Sequence, residues 1–146
     1  MKIKVETKNV NETMEVAKKF GKSIFSPCVI SLVGDLGAGK TTSAKGFAKG
    51  FGIKDTITSP TFTLLNEYEN KGKKLYHFDL YRLTDLEEAY SLGFEEYFDL
   101  TKLKGVVLVE WASNANGILP ARHFVVNLTK KSDTERLIEI EPKGLV

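Results

Sequence analysis

The chain lacks most of the features that mark secreted, membrane-bound or nucleic-acid-coating proteins. It has one cysteine in 146 residues, which excludes an internal disulfide, and no apolar run approaches membrane-spanning length. The net charge is only +2, so the protein has no generally basic surface for nucleic acid or anionic lipid. Arginine occurs only at Arg82, Arg122 and Arg136, so each is a candidate for a particular role. We expect a cytoplasmic protein with no membrane partner.

A glycine-rich segment follows a short apolar run, residues 28–33, and precedes a helical pattern. Residues 34–41 read Gly-Asp-Leu-Gly-Ala-Gly-Lys-Thr, which is the G-x-x-x-x-G-K-[ST] phosphate-loop pattern. The glycines of such a loop adopt conformations barred to other residues, so that N–H groups turn toward phosphate oxygens. The lysine places its charge on the β- and γ-phosphates, and the threonine offers a hydroxyl to Mg²⁺. We therefore predict nucleotide binding by Gly34, Asp35, Gly37, Ala38, Gly39, Lys40, Thr41 and Thr42.

The rest of the chain reads as alternating strands and helices without a repeat or linker. Capping boxes at Asn9 with Glu12, and at Thr84 with Glu87, predict two helix starts. We predict helices over 10–21, 40–51 and from 84 to about 100 with a break near Gly93, and strands over 2–6, 28–33, 61–68, 74–79, 105–110, 123–129 and 135–141. The predicted fold is α/β: a single-domain, P-loop NTPase-like three-layer sandwich over residues 1–146, with a mixed parallel and antiparallel sheet flanked by helices.

Two acidic residues lie where a phosphate loop needs them. Glu110 ends the apolar strand 105–110, the position from which a carboxylate meets Mg²⁺ or orients attacking water in such folds. Asp79 is a candidate to bind the metal directly or through water, and Arg82 is a candidate to contact a phosphate or to hold Asp79 in place. The alternative is an ordinary ion pair between Asp79 and Arg82. Trp111 follows Glu110, and its residue type alone does not separate a core position from a working one.

A proline-containing loop over residues 58–62 leads from the phosphate-loop helix toward the next strand. Ser59 or Thr61 in this loop is a candidate for sensing the γ-phosphate and metal, as threonines do in many nucleotide hydrolases. The alternative is a proline-rigidified turn without such a role.

These segments together resemble the ordered motif set of the TsaE (YjeE) family. The motifs are Gly34–Thr42, Ser59–Thr63, Asn66–Tyr68, His77–Leu83 and Val109–Ala112. Members of that family are small bacterial ATPases needed for threonylcarbamoyladenosine formation in tRNA, and the resemblance spans nearly the whole chain. The chain departs from the family pattern at Ala112, where proline is common, and this affects loop stiffness more than chemistry.

The resemblance implies an ATP- and Mg²⁺-dependent ATPase that hydrolyses ATP slowly. It implies partnership with the TsaD and TsaB proteins, which transfer the threonylcarbamoyl group, while contact of this chain with tRNA is indirect or weak. The roles implied are Mg²⁺ ligation by Thr41 and Glu110, phosphate clamping by Lys40, a metal-proximal or water-positioning carboxylate at Asp79, a switch-like Thr61, a functional Trp111, and an adenine-side position for Thr13 and Arg136.

Other classes of phosphate-loop protein fit less well. A small-molecule or nucleoside kinase normally brings several arginines and a lid, and this chain has three arginines and no lid-sized insertion. Residues 129–133 miss the guanine-reading element of GTPases by one position and read as a hairpin turn. A module that binds ATP without hydrolysing it is the remaining alternative.

Overall fold

The structure, a computed structural model, describes residues 2–35, 37–60 and 62–144. The strands of this part of the chain are β1 (Ile3–Thr7), β2 (Cys28–Val33), β3 (Leu65–Asn70), β4 (Lys73–Asp79), β5 (Val106–Glu110), β6 (His123–Lys130) and β7 (Arg136–Lys143). The helices are α1 (Val10–Ser23), α2 (Lys40–Phe51) and α3 (Leu86–Ser91), with 3₁₀ turns at Glu95–Phe98 and Ala112–Ala115. No helix among these residues is long and apolar enough to cross a membrane.

The described strands form one seven-stranded sheet in the order β1-β7-β6-β2-β5-β4-β3. The four central strands β6, β2, β5 and β4 are parallel neighbours. The antiparallel pairs are β7 with β6, β1 with β7, and β3 with β4. Every residue of β5 is buried, as expected for a strand covered on both faces. The mixed sheet predicted from the sequence is confirmed.

A separate apolar core lies on each face of this sheet. On one face Ile30 and Leu108 belong to the same core as Phe47 of α2. On the other face Phe78 packs edge to face with Phe94 in a core that also contains Ala89 of α3. Since neighbouring strand residues point to opposite faces, these two cores confirm the three-layer α/β sandwich.

The predicted helix boundaries hold for two of the three helices. The Asn9 side chain accepts a hydrogen bond from the Glu12 N–H at 2.9 Å, which begins α1 as predicted. Helix α2 ends at Gly52 in the left-handed conformation (φ 107°). The capping box at Thr84 was placed one residue early, because Asp85 is the N-cap of α3 and accepts from the Glu88 N–H at 2.9 Å.

The strand predicted from residue 61 begins only at Leu65. Leu64 has a φ of 67°, and its N–H donates to the Pro60 carbonyl at 2.9 Å, so the segment before β3 is a turn. Thr61 lies outside the described residues. The predicted hairpin turn between β3 and β4 is confirmed, and Lys71 and Gly72 both have positive φ, as in the type I′ turns that join twisted strands.

Candidate functional site

The phosphate loop joins β2 to α2, and its glycines are needed for two different reasons. Gly37 (φ 81°) and Gly39 (φ 102°) adopt the left-handed conformation that disfavours other residues, as predicted. Gly34 does not have a positive φ. A side chain there would place its Cβ 2.8 Å from the Leu128 carbonyl oxygen of β6, so Gly34 is required for close approach of the loop to the sheet.

The first turn of α2 is open to an anionic ligand. Its N-cap is Gly39, which has no side chain to bond the free N–H groups of the helix start. Thr41 in this turn is exposed and Thr42 is half-buried. Lys40 is 7% exposed, and its Nζ lies 4.0 Å from the centroid of the Trp111 ring. A positive helix end and a buried ammonium group therefore face the same space.

The two predicted carboxylates end neighbouring parallel strands at the same edge of the sheet. Glu110 of β5 lies opposite Asp79 of β4, and opposite Leu32 of β2, just before the phosphate loop. Glu110 is 6% exposed, and its Oε2 lies 2.8 Å from His77 Nε2. Asp79 is half-buried and accepts from the Tyr81 N–H at 3.0 Å and from the Ser59 hydroxyl at 3.4 Å. Because the strands are parallel, both acidic groups reach the loop from one side.

A cavity of about 560 Å³ collects most of the predicted site. Eleven predicted residues line it: Gly37, Gly39, Lys40, Thr41, Thr42, Ser59, Asp79, Arg82, Glu110, Trp111 and Arg136. A second cavity of about 400 Å³ shares Lys40 and Trp111 with the first, and Gly34, Asp35 and Ala38 line it. Lys40 and Trp111 thus contact both spaces.

Thr13 and Arg136 both lie beside Gly39, at the start of α2. A Cβ on Gly39 would be 3.7 Å from Arg136 Nε and 4.0 Å from the Thr13 methyl group. Thr13 is 2% exposed, and its hydroxyl lies 2.7 Å from the Thr7 hydroxyl. This pairing holds the start of α1 against the end of β1.

Arg136, at the start of β7, braces the phosphate loop. Its Nε donates to the Ala38 carbonyl at 3.1 Å and one terminal nitrogen donates to the Gly37 carbonyl at 3.0 Å. The other terminal nitrogen donates to carbonyls of the β6–β7 turn, at 2.8 Å for Ser132 and 2.9 Å for Glu135. The planar guanidinium therefore connects the phosphate loop to the β6–β7 turn by hydrogen bonds in several directions. A lysine ammonium group lacks this planar arrangement of donors.

Trp111 and Arg82 make contacts that their residue types did not predict. Trp111 has a φ of 62°, and its ring packs edge to face against Tyr81 with centroids 5.0 Å apart. The Arg82 guanidinium lies 4.7 Å from the Phe62 ring centroid. The ion pair considered for Arg82 with Asp79 does not form among the described residues; the Tyr81 N–H and Ser59 hold that carboxylate instead.

Two neighbouring residues were not predicted as part of the site. His77 is hydrogen-bonded to Glu110. Asn114 donates to the carbonyls of Leu80 and Tyr81 at 3.2 and 2.8 Å, which fixes the backbone after Asp79. For His77 the sequence offered one indication, since a residue two positions before Asp79 on a strand lies on the same face of the sheet. For Asn114 the sequence offered none.

The oxygen ligands at this site suit Mg²⁺. Among the described residues no group of three or more His, Cys, Asp or Glu side chains is placed to hold a metal ion. Mg²⁺ does not require such a group, since it is usually bound by one or two carboxylates together with substrate phosphates and water. The Thr41 hydroxyl with the Asp79 and Glu110 carboxylates is a set of this kind, lining one cavity.

Comparisons with known proteins identify relatives over nearly the full chain. A family model described as threonylcarbamoyl adenosine biosynthesis protein TsaE matches residues 7–138. The chain is 42% identical over 142 residues to the tRNA threonylcarbamoyladenosine biosynthesis protein TsaE of Bacillus subtilis, covering 97% of this chain and 87% of that protein. It is 42% identical over 109 residues to the protein of the same name from Haemophilus influenzae, covering 75% and 67%. A crystal structure of Bacillus subtilis YdiB matches with a TM-score of 0.80 at 38% identity, covering 99% of this chain and 87% of that one.

Proposed function

The chain belongs to the TsaE family, and we propose on this premise that it is a slow Mg²⁺-dependent ATPase that supports threonylcarbamoyladenosine modification of tRNA. One observation carries the ATPase proposal. The phosphate loop and two carboxylates from neighbouring strands, Asp79 and Glu110, line a single cavity of about 560 Å³. A phosphate loop alone supports binding, whereas the added carboxylates support hydrolysis.

Phosphate binding follows from the loop and the start of α2. The N–H groups after Gly39 have no capping side chain and face the cavity at the positive helix end, which favours a phosphate group. Lys40 is held over the Trp111 ring, so its ammonium group leaves an aromatic partner when it contacts phosphate. We propose that this exchange couples triphosphate binding to the position of Trp111.

Hydrolysis requires that a water molecule be oriented and that charge on the phosphates be balanced. Bound Mg²⁺ would supply positive charge that offsets the negative charge of the phosphates. Thr41 and Glu110 are the residues we propose to hold it, with Asp79 close to the metal or to the attacking water. Asp79 accepts hydrogen bonds from the Tyr81 N–H and Ser59, and Glu110 is hydrogen-bonded to His77, so both carboxylates are held in position by the protein.

The cellular role that we propose rests on the family. The B. subtilis and H. influenzae relatives are named for tRNA threonylcarbamoyladenosine biosynthesis. We propose that this chain associates with TsaD and TsaB and that its ATP cycle drives their repeated turnover. With a net charge of +2, strong independent binding of tRNA is not expected.

The test of the proposed activity follows the γ-phosphate of labelled ATP. With Mg²⁺, we expect the label to be released as inorganic phosphate and none to be transferred to an acceptor. We also expect unlabelled ATP to compete with labelled ATP more strongly than unlabelled GTP does. Label recovered on a nucleoside or another small molecule would support a kinase instead. Stoichiometric ATP binding with no release, alone or with TsaD and TsaB present, would leave a pure binding module.

A further inference from the structure

A buried histidine lies directly behind the proposed catalytic carboxylate. His77 is 2% exposed and Glu110 is 6% exposed, and His77 Nε2 lies 2.8 Å from Glu110 Oε2. The other ring nitrogen, Nδ1, is buried and has no hydrogen-bond partner among the described residues. The contact with Glu110 is therefore the hydrogen bond that orients this ring.

The chemistry of the pair determines which nitrogen carries the proton. A carboxylate oxygen only accepts, so Nε2 must donate for the contact to be a hydrogen bond. The geometry thus places a proton on Nε2.

The sheet register explains why one strand serves two carboxylates. His77 and Asp79 are two residues apart on β4, so their side chains point to the same face of the sheet. Asp79 lies opposite Glu110 of β5, and His77 lies two pairs deeper, opposite Leu108. Strand β4 therefore places Asp79 at the cavity, and its His77 contacts Glu110 of the neighbouring strand β5.

We propose that His77 is a positioning residue: its Nε2–H fixes the orientation of Glu110, and through it the geometry of hydrolysis. The proposal rests on the proposed function for the role of Glu110. Hydrogen-bond partners behind metal-site and catalytic carboxylates typically change affinity or activity by about 10- to 100-fold when removed. We expect a loss in this range in the hydrolysis rate, with little change in ATP affinity.

The first test compares His77→Leu, which removes the donor, with His77→Gln, whose amide nitrogen can occupy the position of Nε2. His123→Gln is the matched control, since the chain has two histidines and His123 bonds the Pro120 carbonyl away from the site. We expect His77→Leu to lower kcat while ATP affinity is kept, and His77→Gln to restore most of it. In a Glu110→Gln background, His77→Leu should cause no further loss. The proposal would be overturned if His77→Gln lost as much kcat as His77→Leu, or if the losses of His77→Leu and Glu110→Gln were additive. A loss of ATP affinity that matches the loss of kcat would also overturn it.

The second test does not depend on activity. The ¹⁵N resonances of the histidine rings, assigned with His123→Gln, report which nitrogen of His77 is protonated in the nucleotide-free protein. We expect a proton on Nε2, whereas a proton on Nδ1 alone would refute the proposal. A wild-type protein that shows a proton on Nε2 but no Mg²⁺-dependent phosphate release would count against the proposed function and not against the His77–Glu110 contact.

Discussion

Arg136 offers the most direct way to ask what holds the phosphate loop in shape. The perturbation is Arg136→Ala, which removes the hydrogen bonds to the Gly37 and Ala38 carbonyls without touching Lys40 or Thr41. If Arg136 acts by bracing the loop, binding should weaken for every ligand that carries a triphosphate. If it acts at the base, as its family position suggests, the loss should depend on the base.

The expected size follows from the two bonds that reach the loop. A hydrogen bond to a charged group contributes roughly 1.5–3 kcal/mol, so two give roughly 3 kcal/mol at the low end of that range. Arg136 is half-buried, so in the variant water can replace part of the hydrogen-bond energy that the two loop carbonyls lose. The loop glycines also preserve part of the loop conformation. We expect about 1.5 kcal/mol to appear in binding, close to a tenfold rise in Kd.

Isothermal titration calorimetry with ATP, GTP and inorganic tripolyphosphate measures this directly. Arg136→Lys, which keeps the charge but loses the planar fork, should fall between wild type and Arg136→Ala. Arg122→Ala is the matched control, because Arg122 lines neither of the two cavities at the phosphate loop. The bracing account is refuted if Arg136→Ala binds tripolyphosphate as tightly as wild type, or if its loss is confined to ATP.

Three further predictions concern the site and the core. Lys40→Ala should nearly abolish ATP binding, because the cation facing the phosphates is lost, while Lys49→Ala at the far end of α2 should bind ATP normally in the same titration. Glu110→Ala should lower the rate of phosphate release more than it lowers ATP affinity, and equal losses would indicate a structural role. Burial raises the pKa of the Cys28 thiol from 9.0 to about 11, so the unfolded chain binds fewer protons between these pH values. The free energy of unfolding should therefore fall as the pH rises from about 9 to 11, with Cys28 contributing at most about 1.4 kcal/mol per pH unit, and urea titrations of Cys28→Ala should show a smaller fall.

The phosphate loop and its two carboxylates were predictable because their placement is local. The loop follows β2 directly in the sequence, and Asp79 and Glu110 each end a strand. Parallel strands bring such ends to one edge of the sheet whatever the detail of the packing. The three-layer fold followed from the same alternation of strands and helices.

The bracing contacts were not predictable, because each depends on packing between distant parts of the chain. Arg136 lies 98 residues after Ala38, whose carbonyl it bonds, and no local pattern indicates this approach. The phosphate-loop pattern predicts that Gly34 is needed for an unusual backbone conformation. In the structure Gly34 is needed because the Leu128 carbonyl of β6 leaves no room for a side chain. A long, exposed side chain such as that of Arg82 can contact several neighbours, so its sequence position does not predict which one. In the structure the Arg82 guanidinium contacts the Phe62 ring.

The turn before β3 shows a different limit. Residues 62–64 have β-branched and apolar side chains typical of a strand, yet Leu64 adopts a positive φ and its N–H bonds the Pro60 carbonyl. Its own carbonyl accepts from the Asp79 N–H at 3.0 Å, so this turn is anchored beside the site. Tertiary contacts overrode the local preference for a strand.

The central claim is that ATP hydrolysis at this site supports modification of tRNA by other proteins. Reconstitution with TsaD, TsaB, tRNA and the threonylcarbamoyl donor, with product counted per complex, tests it most directly. The account predicts product beyond one turnover per complex with the wild-type chain and Mg²⁺-ATP, and arrest near one turnover with Lys40→Ala or without the chain. Equal product formation with the wild-type chain, with Lys40→Ala and without the chain would contradict it.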